Sequence, residues 1–509
     1  MAFSIVASVA ASVAVVIVYG IGLVFYRLVF HPLAGFPGPC LAAATWWYEF
    51  YHDTRLGGGL YIWRIEDLHK KYGPVVRINP EELHIIDTEF HEVIYAGATS
   101  ARDKWDLAEK SAQSFGATGH TPSHKLHRIR KDSLSPFFSK RTVAEREPQI
   151  REKVDHLVSR IHEYAGKNRP VNLTVAYIAL CMDIITEYAF GKEYGLLADD
   201  DFNEQWKNTI MSIVSSVAVL THLPWIPALM RSLPESVQKI LSPDVAQLLE
   251  YEHRIREKIQ SVLNVNPSLK SEKLSGKSTI FDVVRDNPKL PDSEKKLQRM
   301  SDEGNVLLIA ATETPGKVLA LLTYHLLADP IKLARLRSEL ESIGPKPSLR
   351  ELESLPYLVA VVKEGLRLHG GVVTRSKRIA PYDALKCGKY TIPPGTPMSC
   401  SIYFMHYDQS LFPEPFEFRP DRWIDADEAT KKLMERQFAP FGRGTRNCLG
   451  YNLGMAEVYM TIAAVITKFD MEPYKTTRKD VDLERDWLIP QPSKDSKGVQ
   501  VLVTAARGE

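Results

Sequence analysis

Residues 441 to 450, Phe-Gly-Arg-Gly-Thr-Arg-Asn-Cys-Leu-Gly, set Cys448 among three glycines and two arginines at the head of an apolar, helix-like run (Leu449, Leu453, Met455, Val458, Met460). A thiolate at a helix entrance is favoured by unpaired backbone N–H groups and the positive end of the helix dipole. Arg446 adds a cation two residues away, and Gly444 and Gly450 permit close approaches that a β-carbon would block. The chemistry open to such a sulfur is metal ligation or nucleophilic attack. Attack needs a base, and no residue near Cys448 in sequence supplies one.

A second reactive stretch is Ala310-Ala311-Thr312-Glu313-Thr314-Pro315, in the middle of a long apolar helical run. Proline inside a helix costs about 3 kcal/mol, because it has no N–H for the carbonyl of Ala311 and its ring crowds that carbonyl. The helix is expected to open there, leaving a free acceptor and room for water or O2. Glu313 and Thr314 put an acid and a hydroxyl beside that opening.

Three further groups carry charge in a pattern. His120, His124 and His127 lie close together, but Lys125, Arg128, Arg130 and Lys131 surround them. Such a field repels a metal cation and suits an anion, or is simply a solvated basic face. Glu364 and Arg367 share one helical face. They are either a surface pair contributing about 0–1 kcal/mol or a buried one whose disruption costs about 3–5 kcal/mol. Arg375 and Arg378 follow, in a segment that leaves the helix and enters a strand.

The pattern Phe441-x-x-Gly444-x-Arg446-x-Cys448-x-Gly450 is complete and resembles the haem-binding loop of cytochrome P450. The resemblance extends over about residues 32 to 505, with further motifs in the family's order. Ala310 to Pro315 resembles the oxygen-activation segment, with Ala311 in place of its glycine and Pro315 in place of its second threonine. Glu364-x-x-Arg367 with Phe418-Arg419-Pro420-Asp421-Arg422-Trp423 resembles the Glu-Arg-Arg network that holds the thiolate loop. The resemblance implies haem b with Cys448 as axial thiolate, the ligand that pushes electron density toward O–O cleavage. It implies Thr314 as the hydroxyl that bonds dioxygen, Glu313 as the acid relaying protons, and Phe441 as part of the cofactor's cradle. Where the family has Trp-x-x-x-Arg, this chain has His127 and Lys131. These two, with Arg378 and Arg446, are expected to meet the haem carboxylates by charge-assisted hydrogen bonds; Arg375 is a lesser candidate.

The elements that must position these residues read as mainly α with a minor β part: the cytochrome P450 fold behind one N-terminal transmembrane helix. Residues 2 to 26 carry no charge and, at about 1.5 Å per residue, reach roughly 37 Å, enough to cross a hydrocarbon core of about 30 Å. Arg27 and His31 come after the run, which favours a retained anchor over a cleaved signal and a cytosolic body. The division is 1–30 anchor, 31–39 a stiff Pro/Gly hinge, and 40–509 one haem-thiolate domain. Ile62 to Tyr72 predicts a helix, and 75–79 and 82–86 predict strands joined at Pro80. Residues 141 to 264 predict helices broken by Pro224, Pro227 and Pro234, and 266 to 277 an exposed loop. Helices are predicted again over 303–327 and 348–368, and a strand and turn over 390–395.

With 44% apolar and 25% charged residues the 509-residue chain has ample core, and a formal charge of +2 gives no reason to expect nucleic acid. Five scattered cysteines without Cys-x-x-Cys spacing argue against a disulfide framework and fit a reducing, cytosol-facing body. The resemblance therefore implies a monooxygenase on the endoplasmic reticulum membrane. Electrons come from NADPH-cytochrome P450 reductase, with cytochrome b5 as an optional second donor, since no flavin or nicotinamide fingerprint is present. Apolar segments (Ile210 to Leu220, Val306 to Ile309, Val372, Val373) point to a hydrophobic substrate. The Phe-Pro-Gly-Pro entry and the run from Ala44 to Tyr51 are similar to filamentous-fungal monooxygenases of secondary metabolism, especially the trichodiene-oxygenase-like group, which makes a terpenoid the preferred substrate. The rivals are a reductase-independent haem-thiolate isomerase or dehydratase, against which Glu313 and Thr314 weigh, a cysteine-nucleophile hydrolase, and a haem-binding membrane protein without activity.

Overall fold

The computed structural model describes residues 2–106, 114, 116–234, 236–238, 243–264 and 279–507. The predicted loop over 266–277 lies outside the described residues. The helices of ten residues or more are α1 (Ala2–Phe25), α2 (Tyr61–Tyr72), α3 (His124–Leu134), α4 (Glu147–His162), α5 (Leu173–Phe190), α6 (Glu204–His222), α7 (Pro243–Leu263), α8 (Leu297–Leu327), α9 (Pro330–Glu341), α10 (Pro356–His369), α11 (Glu428–Gln437) and α12 (Tyr451–Lys468). Their ends follow from local chemistry. Asn172 and Asp427 accept backbone N–H groups at the starts of α5 and α11. Gly191 and Gly370 end α5 and α10 with φ of 77° and 74°, a left-handed turn that suits glycine.

One five-stranded sheet, in the order β1-β2-β8-β5-β3, is built from β1 (Val75–Arg77), β2 (Leu83–Ile85), β3 (Asp103–Lys104), β5 (Arg378–Ile379) and β8 (Pro397–Ser399). Val75 pairs with Ile85 across the turn at Pro80, as the alternating pattern predicts. A three-stranded sheet joins β4 (Val171–Asn172), β12 (Gln500–Ala506) and β9 (Phe469–Pro473). Two hairpins complete the β part: β6 (Leu385–Cys387) with β7 (Tyr390–Ile392), and β10 (Arg485–Trp487) with β11 (Ile489–Gln491).

The main core lies where α4, α5, α8 and α12 meet, with Leu157, Leu180, Leu319, Leu322, Ile462 and Ile466 almost fully buried. Three helical segments are long and apolar enough to cross a membrane. The windows in α5 and α8 are 89% and 61% buried within the protein and serve as core, whereas Ile5–Phe30 is wholly unburied. Apolar surface of that length, left uncovered by the chain itself, is what a bilayer span requires.

Two expectations change. The segment 348–368 is two helices, a short Leu349–Leu352 turn and then α10, because Pro356 cannot continue the first and instead begins the second. The long helix α8 does not break at Pro315; it runs unbroken over its whole length. Val318, Leu319 and Leu322 just beyond the proline are buried, which favours continuing the helix, and Pro315 still leaves the Ala311 carbonyl without its helical donor.

Candidate functional site

The thiolate loop is held from all sides. Gly444 has φ of 70°, and a β-carbon there would lie 2.3 Å from the carbonyl oxygens of Tyr95 and Ala96, so only glycine fits. The Cys448 N–H donates to the carbonyl of Phe441 at 2.7 Å, closing the loop, and the Phe441 ring packs edge-on to Tyr451 at 4.7 Å. Arg443, unassigned by sequence reasoning, ties the loop to the end of α11, donating to the carbonyls of Glu435 at 2.6 Å and Arg436 at 2.7 Å.

Beneath the loop, Glu364 and Arg367 are fully buried on α10. Arg367 donates twice to Glu364, at 2.9 and 2.8 Å, and Arg422, the Trp423 indole and the Arg419 N–H donate to the same carboxylate at 3.0, 2.9 and 3.0 Å. Burial alone would raise the Glu364 pKa, but Arg367 and Arg422 hold it below the usual carboxylate value. Arg367 also donates to the carbonyls of His406 and Pro415, both at 2.8 Å, and His406 accepts the Ala439 N–H at 2.9 Å, two residues before Phe441. The predicted Glu-Arg-Arg network is therefore formed, and it reaches the loop through His406.

Cys448 itself is exposed, yet burial by surrounding protein is the chief cause that raises its thiol pKa, with a Gly450 N–H and Lys131 acting in the opposite sense. The helix entrance and a nearby cation thus act in the expected direction, the cation being Lys131, but burial outweighs them. The sulfur is accessible though closely surrounded by protein, and a metal bound there would displace its proton.

The basic residues converge as expected, with one addition. His127 is buried on α3, and its pKa is lowered to about 3 by burial first and then by Arg446, Lys131, Lys104 and Arg378, all cations. Lys104, which sequence reasoning missed, joins the group because β3 pairs with β5 and sets Lys104 opposite Arg378. Arg446 donates to the carbonyls of Thr121 and Pro122 at 2.7 and 2.6 Å, which brings the segment before α3 over the loop. Arg378 stacks over the Tyr95 ring at 5.3 Å. Arg375 is elsewhere: Glu49 and Glu82 hold it at 2.5 and 2.9 Å, so its charge is spent. The histidines at 120, 124 and 127 do not converge, and no grouping of three metal-ligating side chains occurs among the described residues.

On α8, Val306, Ala310 and Thr314 are accessible at intervals of four, while Leu308, Thr312 and Glu313 are buried. Leu307, Ile309 and Ala311 beside them are half-buried as well, so this part of α8 is left partly uncovered. The small side chain of Ala310 leaves room for a flat group, and no hydrogen bond among the described residues engages the Thr314 hydroxyl. Thr312 instead donates back to Leu308 at 2.9 Å. Glu313 forms an ion pair with Lys317 at 3.1 Å, and Lys317 donates to Gln491 at 2.6 Å, a partnership with no sequence signal. Of the expected pocket residues, Val372 is 40% exposed, but Ile210, Leu308 and Val373 are packed in the core.

The residues fit an iron porphyrin with two carboxylates: an accessible sulfur, small side chains at Ala310 and Ala311 on α8, and cations gathered about His127. Residues 44–497 match the family model described as Cytochrome P450. The chain is 40% identical to conidiogenone synthase PchP450 of Penicillium rubens, over 96% of this chain and 97% of that one. It is 38% identical to cytochrome P450 monooxygenase TRI4 of Trichoderma arundinaceum, over 96% and 94%. It is also 38% identical to tryptophan 6-hydroxylase fscE of Fusarium equiseti, over 94% of each chain.

Proposed function

The chain belongs to the cytochrome P450 family, whose monooxygenases carry haem b on a cysteine thiolate, and on that premise we propose that Cys448 is the axial ligand. The single observation behind this is the accessible Cys448 sulfur, closely surrounded by protein, in a loop that Gly444, Arg443 and the Glu364 network hold fixed. When bound, the haem supplies O2 activation for insertion of one oxygen atom into a substrate bond. Arg378, Arg446 and Lys104 form the cationic rim that meets its carboxylates, and the neutral His127 adds a ring N–H donor. The Thr314 hydroxyl lies on the partly uncovered part of α8, where it can donate a hydrogen bond to the reacting oxygen. Glu313, held by Lys317, moves protons between the interior and Thr314.

The substrate of this reading is a hydrophobic small molecule of secondary metabolism, because Val306, Ala310 and Val372 present apolar surface; the resemblance to the trichodiene-oxygenase-like group makes a terpenoid preferred, with polyketide or alkaloid scaffolds open. Relatives named for hydroxylation of tryptophan make an indole the alternative. The protein is anchored in the endoplasmic reticulum membrane by residues 1–30, with 31–39 as hinge and the body, 40–509, in the cytosol. It takes electrons from NADPH-cytochrome P450 reductase, with cytochrome b5 as an optional second donor.

The test is the spectrum of the reduced, carbonyl-bound protein. The intact chain should show the red-shifted band of thiolate ligation, and Cys448→Ser should abolish it. A Cys448→Ser protein that keeps the band overturns the assignment. Product analysis after gene deletion identifies the substrate, the accumulating metabolite being a terpenoid or an indole.

A further inference from the structure

We infer that Lys131 is a positioning residue that clamps the thiolate loop, and not a ligand of a haem carboxylate; this rests on the reading of Cys448 as the haem ligand. An ammonium has three N–H donors and no acceptor. The three acceptors within reach of the Lys131 ammonium all belong to the residues just before the cysteine: the carbonyl of Thr445 at 2.9 Å, the carbonyl of Asn447 at 3.0 Å and the side-chain oxygen of Asn447 at 2.6 Å. Its donors are thereby used up. His127, one turn earlier on the same face of α3, faces the cations of the rim, while Lys131 reaches past it to the loop.

The loop needs that support. Between Arg443 and Cys448 its only regular structure is the single turn Gly444–Arg446. Two of its backbone bonds are long, Thr445 N–H to Ala96 and Asn447 N–H to Gly444, each 3.3 Å. Lys131 binds the carbonyls on both sides of Arg446, so it fixes two peptide planes at once and gives the Cys448 sulfur one position. A charge-assisted bond to each plane is worth more than a neutral one. The ammonium also acts on Cys448 through its charge. A cation beside a thiolate–iron centre favours the reduced, more negative state, so its removal shifts the reduction potential to more negative values.

The experiment uses the haem-loaded full chain and its variants Lys131→Met, Lys131→Arg, Asn447→Ala and the double Lys131→Met/Asn447→Ala. The readout is the rate at which the red-shifted band of the reduced carbonyl complex gives way to the band of thiolate-free haem, with haem content and reduction potential measured alongside. Lys131→Met should convert about tenfold faster, Asn447→Ala about threefold, and the double no faster than Lys131→Met, because the two share a bond. Haem content should stay near that of the parent, and Lys131→Arg should recover part of the lost stability. Equal acceleration by Asn447→Ala in both backgrounds, or loss of haem with the thiolate band intact, overturns the clamp. Asn447 is exposed, so Asn447→Ala carries the test even where Lys131→Met does not fold. A parent protein without the red-shifted band brings down the Cys448 assignment and the clamp together; a parent with the band and a Lys131→Met variant of equal rate overturns the clamp alone.

Discussion

Lys104 and Arg378 stand directly opposite one another on antiparallel strands, two cations in register across the β3–β5 ladder. Like charges in that arrangement destabilise a sheet by a few tenths to about 1 kcal/mol unless an anion lies between them. Both also act on the buried His127, as do Arg446 and Lys131. On the proposed reading, the haem carboxylates are anions that relieve this repulsion.

That cost can be measured. Lys104→Met should leave the haem-free protein as stable as the parent or slightly more stable, while the haem-loaded protein loses haem faster by about tenfold. Thermal melts with and without haem, and transfer of haem to an acceptor protein, read both halves. A variant that is destabilised without haem and holds haem normally would show Lys104 to be an ordinary structural lysine.

The acid and hydroxyl of α8 make a different prediction. Glu313 is buried and paired with Lys317, whereas Thr314 is accessible with its hydroxyl unengaged. Thr314→Ala and Glu313→Gln should each lower product formed per NADPH consumed by about a hundredfold, with the reducing equivalents released as hydrogen peroxide. The metabolite that accumulates on gene deletion serves as substrate. Product yields equal to those of the parent would remove both residues from the proton path.

Glu364 should be intolerant of change. Its carboxylate is fully buried and accepts from Arg367, Arg422, Trp423 and the Arg419 N–H at 2.8 to 3.0 Å. Glu364→Ala leaves the Arg367 guanidinium buried without its anion, at a cost of about 3–5 kcal/mol. Little folded, haem-bearing protein is expected, and denaturant melts of what remains should give that loss. A variant with parental stability would mean that the carbonyls of His406 and Pro415 suffice for Arg367.

How far the sequence carried these conclusions depends on how local each feature is. The cysteine loop, the Glu364–Arg367 pair and the apolar stretch of α8 are encoded within a few residues, and the structure forms all three. Lys104 is invisible in sequence because β3 is only two residues long and its meaning comes from a partner 274 positions later. Lys317 pairs with Glu313 at helical spacing, but its second partner Gln491 sits on a distant hairpin. Pro315 has the same root: the local rule predicts an opening, and α8 nevertheless continues through it because its long-range packing outweighs one missing bond. Val373 was misplaced because an apolar residue looks alike whether it faces a hollow or the core.

Acid should weaken the fold through the paired histidines at 69 and 84. The Ser401 N–H donates to His84 Nε2 at 3.1 Å, so His84 must carry its proton on Nδ1, which donates to His69 Nε2 at 2.7 Å. His69 in turn donates from Nδ1 to the Gly73 carbonyl at 2.8 Å. Every ring nitrogen in this chain has a fixed role, and a further proton would set two donors against each other. Burial lowers the His69 pKa to about 4 and that of His84 well below its ordinary 6.5, the latter with help from His69 and Arg375. The unfolded chain binds these protons near pH 6.5 and the folded one does not, so the unfolded state gains protons first as pH falls. Stability is thus complete above about pH 6.5 and is lost on the way down to about pH 4, by on the order of 3 kcal/mol for His69 alone at about 1.4 kcal/mol per unit. Thermal melts between about pH 7 and pH 5 should show the midpoint falling steadily. His69→Gln should flatten the slope, since the amide offers a donor and an acceptor without titrating. A midpoint that is constant over that range in the parent, or a slope unchanged by His69→Gln, would rule out this pair as the source of acid sensitivity.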